Sequence, residues 1–229
     1  VIDAHPLLTD AARDRTAWLP GFQKALSERL DSLGNDVYDT FMGAKHALMH
    51  GRRLVDQPRN RHLHGRFAGA SAICIAAGPS ASHWYDRIRA IQDEHVIICV
   101  DSLLGGLLDA GIEPDIVTMV ERQSYMAKLV AEPATRCRTH MWALPVVHPD
   151  SLANFDDRLL WWWNLDDLYP WLMADEPVFA GSGRSTGTMG VTVAAWLGCR
   201  TIYLAGHDLA YIDGSSHTAE TNDFTLSQQ

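Results

Sequence analysis

Six short apolar runs recur between residues 72 and 206: AICIAA, HVIICV, DIVTMV, RTHMWALPVV, LLWWWN and TIYLAG. Each is too short to be a long buried helix and too continuously apolar to be a strand with one wet face. Segments with helical spacing separate several of them. Apolar runs alternating with amphipathic ones predict an α/β, Rossmann-like fold with a mostly parallel sheet and helices on both faces. In such sheets ligands bind beyond the carboxyl ends of the strands, so the residues there are the ones to read for chemistry.

Before residue 66 the rhythm is different. Phe22, Leu26, Leu30 and Leu33, then Val37, Phe41 and Ala44, stand at helical intervals, with breaks near Pro20 and Gly34. This predicts a helical N-terminal extension over 1–66 and a nucleotide-binding core over 67–229. The chain begins at Val1 without Met and ends in the polar NDFTLSQQ, as a piece of a longer protein would.

Charge and cysteine usage remove several functions. A formal net charge of -9 and no Lys/Arg cluster longer than a pair argue against a nucleic-acid binder. The four cysteines have no CxxC spacing, which argues against a zinc site. They fit a reduced, cytoplasmic compartment, and no stretch has the length and apolarity of a membrane span.

Gly78-Pro79-Ser80 follows the first run. Glycine lets the backbone turn and a ligand approach; proline presets a helix start; serine can cap the helix or donate to a phosphate. The same residues also make a plain strand-to-helix turn. Asp101-Ser102 ends the second run and Glu121 the third, two carboxylates suited to ribose hydroxyls, a base edge or a divalent metal, or simply to helix caps. The segment Gly181 to Gly187, with Arg184, Ser185 and Thr186, precedes an apolar helix over 189–197 and offers a second phosphate cradle. The last run ends in Gly206, His207 and Asp208, followed by Tyr211 and His217. Either histidine is a candidate general base or a structural loop residue. In LLWWWN, Trp161 and Trp163 are expected on one sheet face and Trp162 on the other, either packed between helices or forming a sugar-stacking wall beside Asn164 and Asp166.

Together, IAAGPSA, VDSLLGGLLDAGIEPDIVTMVE and GTMGVTVAAWLGCRTIYLAGHDLAYIDGSSHT resemble the motility-associated factor (Maf) flagellin glycosyltransferases, over about residues 67–218. That family's core is similar to 6-hydroxymethylpterin diphosphokinase (MptE-like) and to bacterial CMP-sialic-acid sialyltransferases. The family pattern GxGPSL reads Ala76-Ala77-Gly78-Pro79-Ser80-Ala81 here, and Glu121 stands where the family often has Asp.

The resemblance implies a glycosyltransferase. It would move a nonulosonic sugar, pseudaminic or legionaminic, from its CMP-activated donor to Ser/Thr of flagellin. The implied nucleotide site is Gly78, Pro79, Ser80, Asp101, Ser102, Glu121, Arg184, Ser185, Thr186, Gly187, Asp208 and Tyr211. His217, or failing it His207, would be the base. This reading requires no metal. The alternatives are a diphosphokinase using Mg²⁺ on Asp101, Glu121 and Asp208, and a catalytically degenerate nucleotide-binding scaffold.

Overall fold

The computed structural model describes residues 21, 37–56, 60–162, 185–212, 214–219 and 221. The chain divides into two compact units, Val1–Phe41 and Met42–Gln229. The sheet belongs to the second.

Six strands form one parallel sheet: β1 Ser71–Ile75, β2 Val96–Val100, β3 Ile116–Met119, β4 His140–Ala143, β5 Leu159–Trp161 and β6 Thr201–Ala205. Their order across the sheet is β5-β4-β3-β2-β1-β6. The chain therefore builds outward from β1 to β5, then returns to the other side of β1. Ile, Val and Cys dominate β1 and β2, and all five residues of β2 are buried, as a central strand covered on both faces requires.

Two apolar clusters lie on the two faces. One gathers Ile73, Ile75, Ile97 and Val117 with Ile88 of α3 (Tyr85–Ile91) and Leu104 and Leu107 of α4 (Leu104–Asp109), and takes in Val130 of α5 (Ala127–Val130). The other gathers Ala72, Cys74 and Ile98 with Met189, Val193 and Ala194 of α6 (Thr186–Trp196). The tryptophan run splits as the alternation requires, Trp161 into the first cluster and Trp162 into the second. Trp163, Asn164 and Asp166 lie outside the described residues. No helix among the described residues is long and apolar enough to cross a membrane.

The second unit begins at Met42 and so takes in residues assigned from sequence to the helical N-terminal extension. Two helices, α1 (Val37–Met49) and α2 (Gly51–Asp56), precede the sheet. Within the second unit, His46 and His50 are buried against the turn after β4, and the Asn60 amide donates to the Trp161 carbonyl. Residues 42–63 are thus part of the body that carries the sheet. Phe22, Leu26, Leu30 and Leu33 lie outside the described residues.

Candidate functional site

The strand order reverses at β1, between β2 and β6. This is the topological switch point, and in parallel α/β sheets ligands bind there, beyond the carboxyl ends of the strands. The turns leaving β1 and β6 meet there. Gly78 N–H donates to the Gly206 carbonyl at 2.8 Å, and Ser80 donates its N–H and its hydroxyl to the two carboxylate oxygens of Asp208, at 2.9 and 2.6 Å. These bonds hold the Asp208 carboxyl below its ordinary range, Ser80's hydroxyl first and its N–H second.

The geometry revises the role read for this turn. Ser80 caps no helix: a 3₁₀ turn, Ala81–Trp84, comes between it and α3. Its donors are committed to Asp208 rather than held ready for a phosphate. The two glycines serve close packing. A methyl group at position 78 would lie 2.3 Å from the Gly206 carbonyl oxygen, and one at position 206, where φ is +67°, would lie 2.1 Å from the Ala76 carbonyl oxygen.

The start of α6 is built differently. The Ser185 hydroxyl accepts from Thr188 N–H at 3.2 Å, while the Thr186 carbonyl accepts from the Thr118 hydroxyl at 3.0 Å. Thr118 also donates to the Cys99 carbonyl, so one buried hydroxyl on β3 ties α6 to the sheet. Among the described residues the N–H groups of Thr186 and Gly187, in the first turn of a helix of eleven residues, have no acceptor, a setting that favours an anion. Gly187 lies against the β1 and β6 turns: a methyl group there would come within 3.4 Å of Ala76 Cβ and 3.5 Å of His207 Nε2.

His207 Nδ1 lies 3.1 Å from the Ala205 carbonyl, which only accepts, so Nδ1 is the donor. Its Nε2 is buried and has no hydrogen-bond partner among the described residues. His217 is half-buried, with Nδ1 2.8 Å from the Ser216 hydroxyl. Its neighbour Thr218 donates N–H to the Ala77 carbonyl at 2.9 Å, which anchors the segment beside the β1 turn. Tyr211 is exposed and makes no hydrogen bond among the described residues. Arg184 lies outside them.

Asp101, Ser102 and Glu121 form a second group beyond β2 and β3. Asp101 is buried, and its carboxylate accepts from Ser102 N–H at 2.8 Å. Burial, with the Glu121 charge adding to it, pushes the Asp101 carboxyl up to about 7. Glu121 accepts from the N–H groups of Arg122 and Gln123. The three carboxylates named for Mg²⁺ do not come together, because Asp208 is bound at the β1–β6 turns. Among the described residues no group of three His, Cys, Asp or Glu is placed to hold a metal ion.

Sequence reading missed Thr118, Tyr125 and Thr218. Thr118 was findable as the one hydroxyl inside the apolar run DIVTMV. Tyr125, whose phenol is pushed up by burial and by the charges of Glu121 and Asp101, carries no such signal. A recess of about 800 Å³ also opens at the amino ends of the strands, lined by Gln92, Glu113, Arg136, Arg138 and His140. It lies at the opposite end of the sheet from the switch point, and Glu113 there is already engaged by Arg138 N–H.

The family model described as 6-hydroxymethylpterin diphosphokinase MptE-like matches residues 46–214. The chain belongs to the MptE-like family. This MptE-like chain also superposes on the structure of a Maf glycosyltransferase from Magnetospirillum magneticum AMB-1, with a TM-score of 0.62 and 21% identity. The likeness covers 92% of this chain and 32% of that one, so the MptE-like chain spans about a third of that protein's length. No curated protein matches it.

Proposed function

We propose that this chain is the donor-binding domain of a glycosyltransferase. It would transfer a nonulosonic sugar from a CMP-activated donor to a Ser/Thr hydroxyl, with flagellin as the protein acceptor and the cytoplasm as its compartment. The observation that carries the reading is the convergence of three segments at the switch point: 78–80, 206–208 and the open N-terminal turn of α6. The likeness in fold to a Maf glycosyltransferase supports it.

In this reading the CMP phosphate sits on the N–H groups of Thr186 and Gly187, because those of Ser80 are taken by Asp208. The Ser80–Asp208 link holds the crevice wall, and Asp101, Ser102 and Glu121 face the nucleoside side. His217 accepts the proton of the acceptor hydroxyl as that oxygen bonds to the anomeric carbon and the bond to the CMP oxygen breaks. His207 suits this less well, because its free nitrogen is buried against α6. Backbone N–H groups stabilise the departing CMP, with Arg184 and Tyr211 as further candidates.

The family description favours a second reading, transfer of diphosphate from ATP to a pterin alcohol. That chemistry relies on metal clamping, and its three candidate carboxylates are divided between two places. Calorimetric titration with CMP, CDP, ATP and GTP, with and without Mg²⁺, separates the two. CMP heat without Mg²⁺ supports the glycosyltransferase; ATP heat that depends on Mg²⁺, with none for CMP, rejects it.

A further inference from the structure

We propose that His50 is an acid-released catch that ties the helical segment 42–56 to the carboxyl end of the sheet. His46 and His50 stand one helical turn apart and are both 2% exposed. They meet two consecutive carbonyls of the turn after β4: His46 Nδ1 lies 3.0 Å from the Val146 oxygen, and His50 Nε2 lies 3.0 Å from the Val147 oxygen. A carbonyl only accepts, so each of these nitrogens carries a proton. The His50 ring leans on Trp161 at 5.3 Å, and His46 meets the His148 ring edge-on at 4.9 Å.

A second proton on His50 has poor surroundings. On its own helices stand His46 and Arg53. Arg53 already holds Asp156, which precedes β5, at 2.7 Å. From the turn after β4 comes His148, with Asp150 3.7 Å from His148 Nδ1. Arg122, after β3, lies against α1, where a methyl group on Gly43 would be 2.7 Å from its Nε. Burial first, and the charges of Arg53, His46 and His148 after it, lower the His50 pKa below its ordinary 6.5.

The sign follows from linkage. With the docked value lowered, the undocked segment binds the extra proton first. Docking is therefore at full strength above pH 6.5 and weakens as pH falls below it, towards the docked value. Release would uncover Arg122 at the end of β3.

Hydrogen exchange of the wild-type chain between pH 7.5 and 5.5, corrected for intrinsic rates, tests this. Opening of 42–56 should become more favourable, by up to about fivefold, between pH 6.5 and 5.5, while β1 and β2 keep their protection. His50→Gln keeps an amide donor for Val147 and gains no charge, so its opening should not change with pH. Acid opening of the same size in His50→Gln, or loss shared equally by β1 and β2, overturns the proposal. Should that variant not fold, the NMR titration of the wild-type His50 ring decides. A midpoint below 6.5 upholds the catch, and one at or above 6.5 overturns it.

Discussion

Ser80 gives both its backbone N–H and its hydroxyl to one carboxylate, that of Asp208, across 128 residues of sequence. The two bonds join the turns that leave β1 and β6, the neighbouring strands at which the sheet order reverses. Asp208→Asn replaces one accepting oxygen by a donor and removes the charge. The expected loss is about 1–2 kcal/mol in urea unfolding near neutral pH, the scale of a partly exposed charged hydrogen bond. Because the folded Asp208 carboxyl is held low, its contribution is present above about pH 4 and disappears as pH falls through the folded value. Wild type and variant should therefore converge in strong acid.

Two glycines should behave oppositely. Gly78→Ala sets a methyl group 2.3 Å from a backbone oxygen that cannot move aside alone, so it should destabilise by at least about 3 kcal/mol. Gly187→Ala meets neighbours at 3.4 and 3.5 Å and should fold, with a Tm within a few degrees of wild type by an order-of-magnitude reckoning. Its effect should fall on CMP affinity. Thermal unfolding of both variants checks the contrast.

Much of the sheet was legible because a buried parallel strand needs an unbroken apolar run, and β1, β2, β3 and β6 each lie within one. The bond between Ser80 and Asp208 was not, since each residue fits a local turn when read alone. The packing role of His46 and His50 was hidden for a similar reason. Four-residue spacing on a helix marks a shared face but not what that face meets, and here it meets carbonyls a hundred residues away. A chain started at residue 66 would lose both histidines and Asn60.

Asp101 should make stability fall with rising pH. Its carboxyl titrates at about 7 when folded and near 4 when unfolded, so the folded state holds the extra proton between those values. The burial cost therefore grows from pH 4 to 7 and is complete at pH 8. Asp101→Asn should match wild type near pH 4 and exceed it at pH 8, by an amount on the order of a few kcal/mol. Urea midpoints at the two pH values measure this, and a constant difference would contradict it.

His217→Ala should keep CMP affinity and lose transfer by roughly 10²- to 10⁴-fold, the usual range for a general base. Intact-mass analysis of flagellin incubated with the CMP-sugar reads the transfer. A larger loss in His207→Ala than in His217→Ala would move the role to the buried ring.

A nucleotide lying at the β1–β6 switch point is tested most directly by amide NMR during a CMP titration. The expected result is a set of saturable shifts at Gly78, Ser80, Thr186, Gly187 and Asp208, without Mg²⁺. Shifts confined instead to Gln92, Glu113, Arg138 and His140, at the other end of the strands, would contradict it.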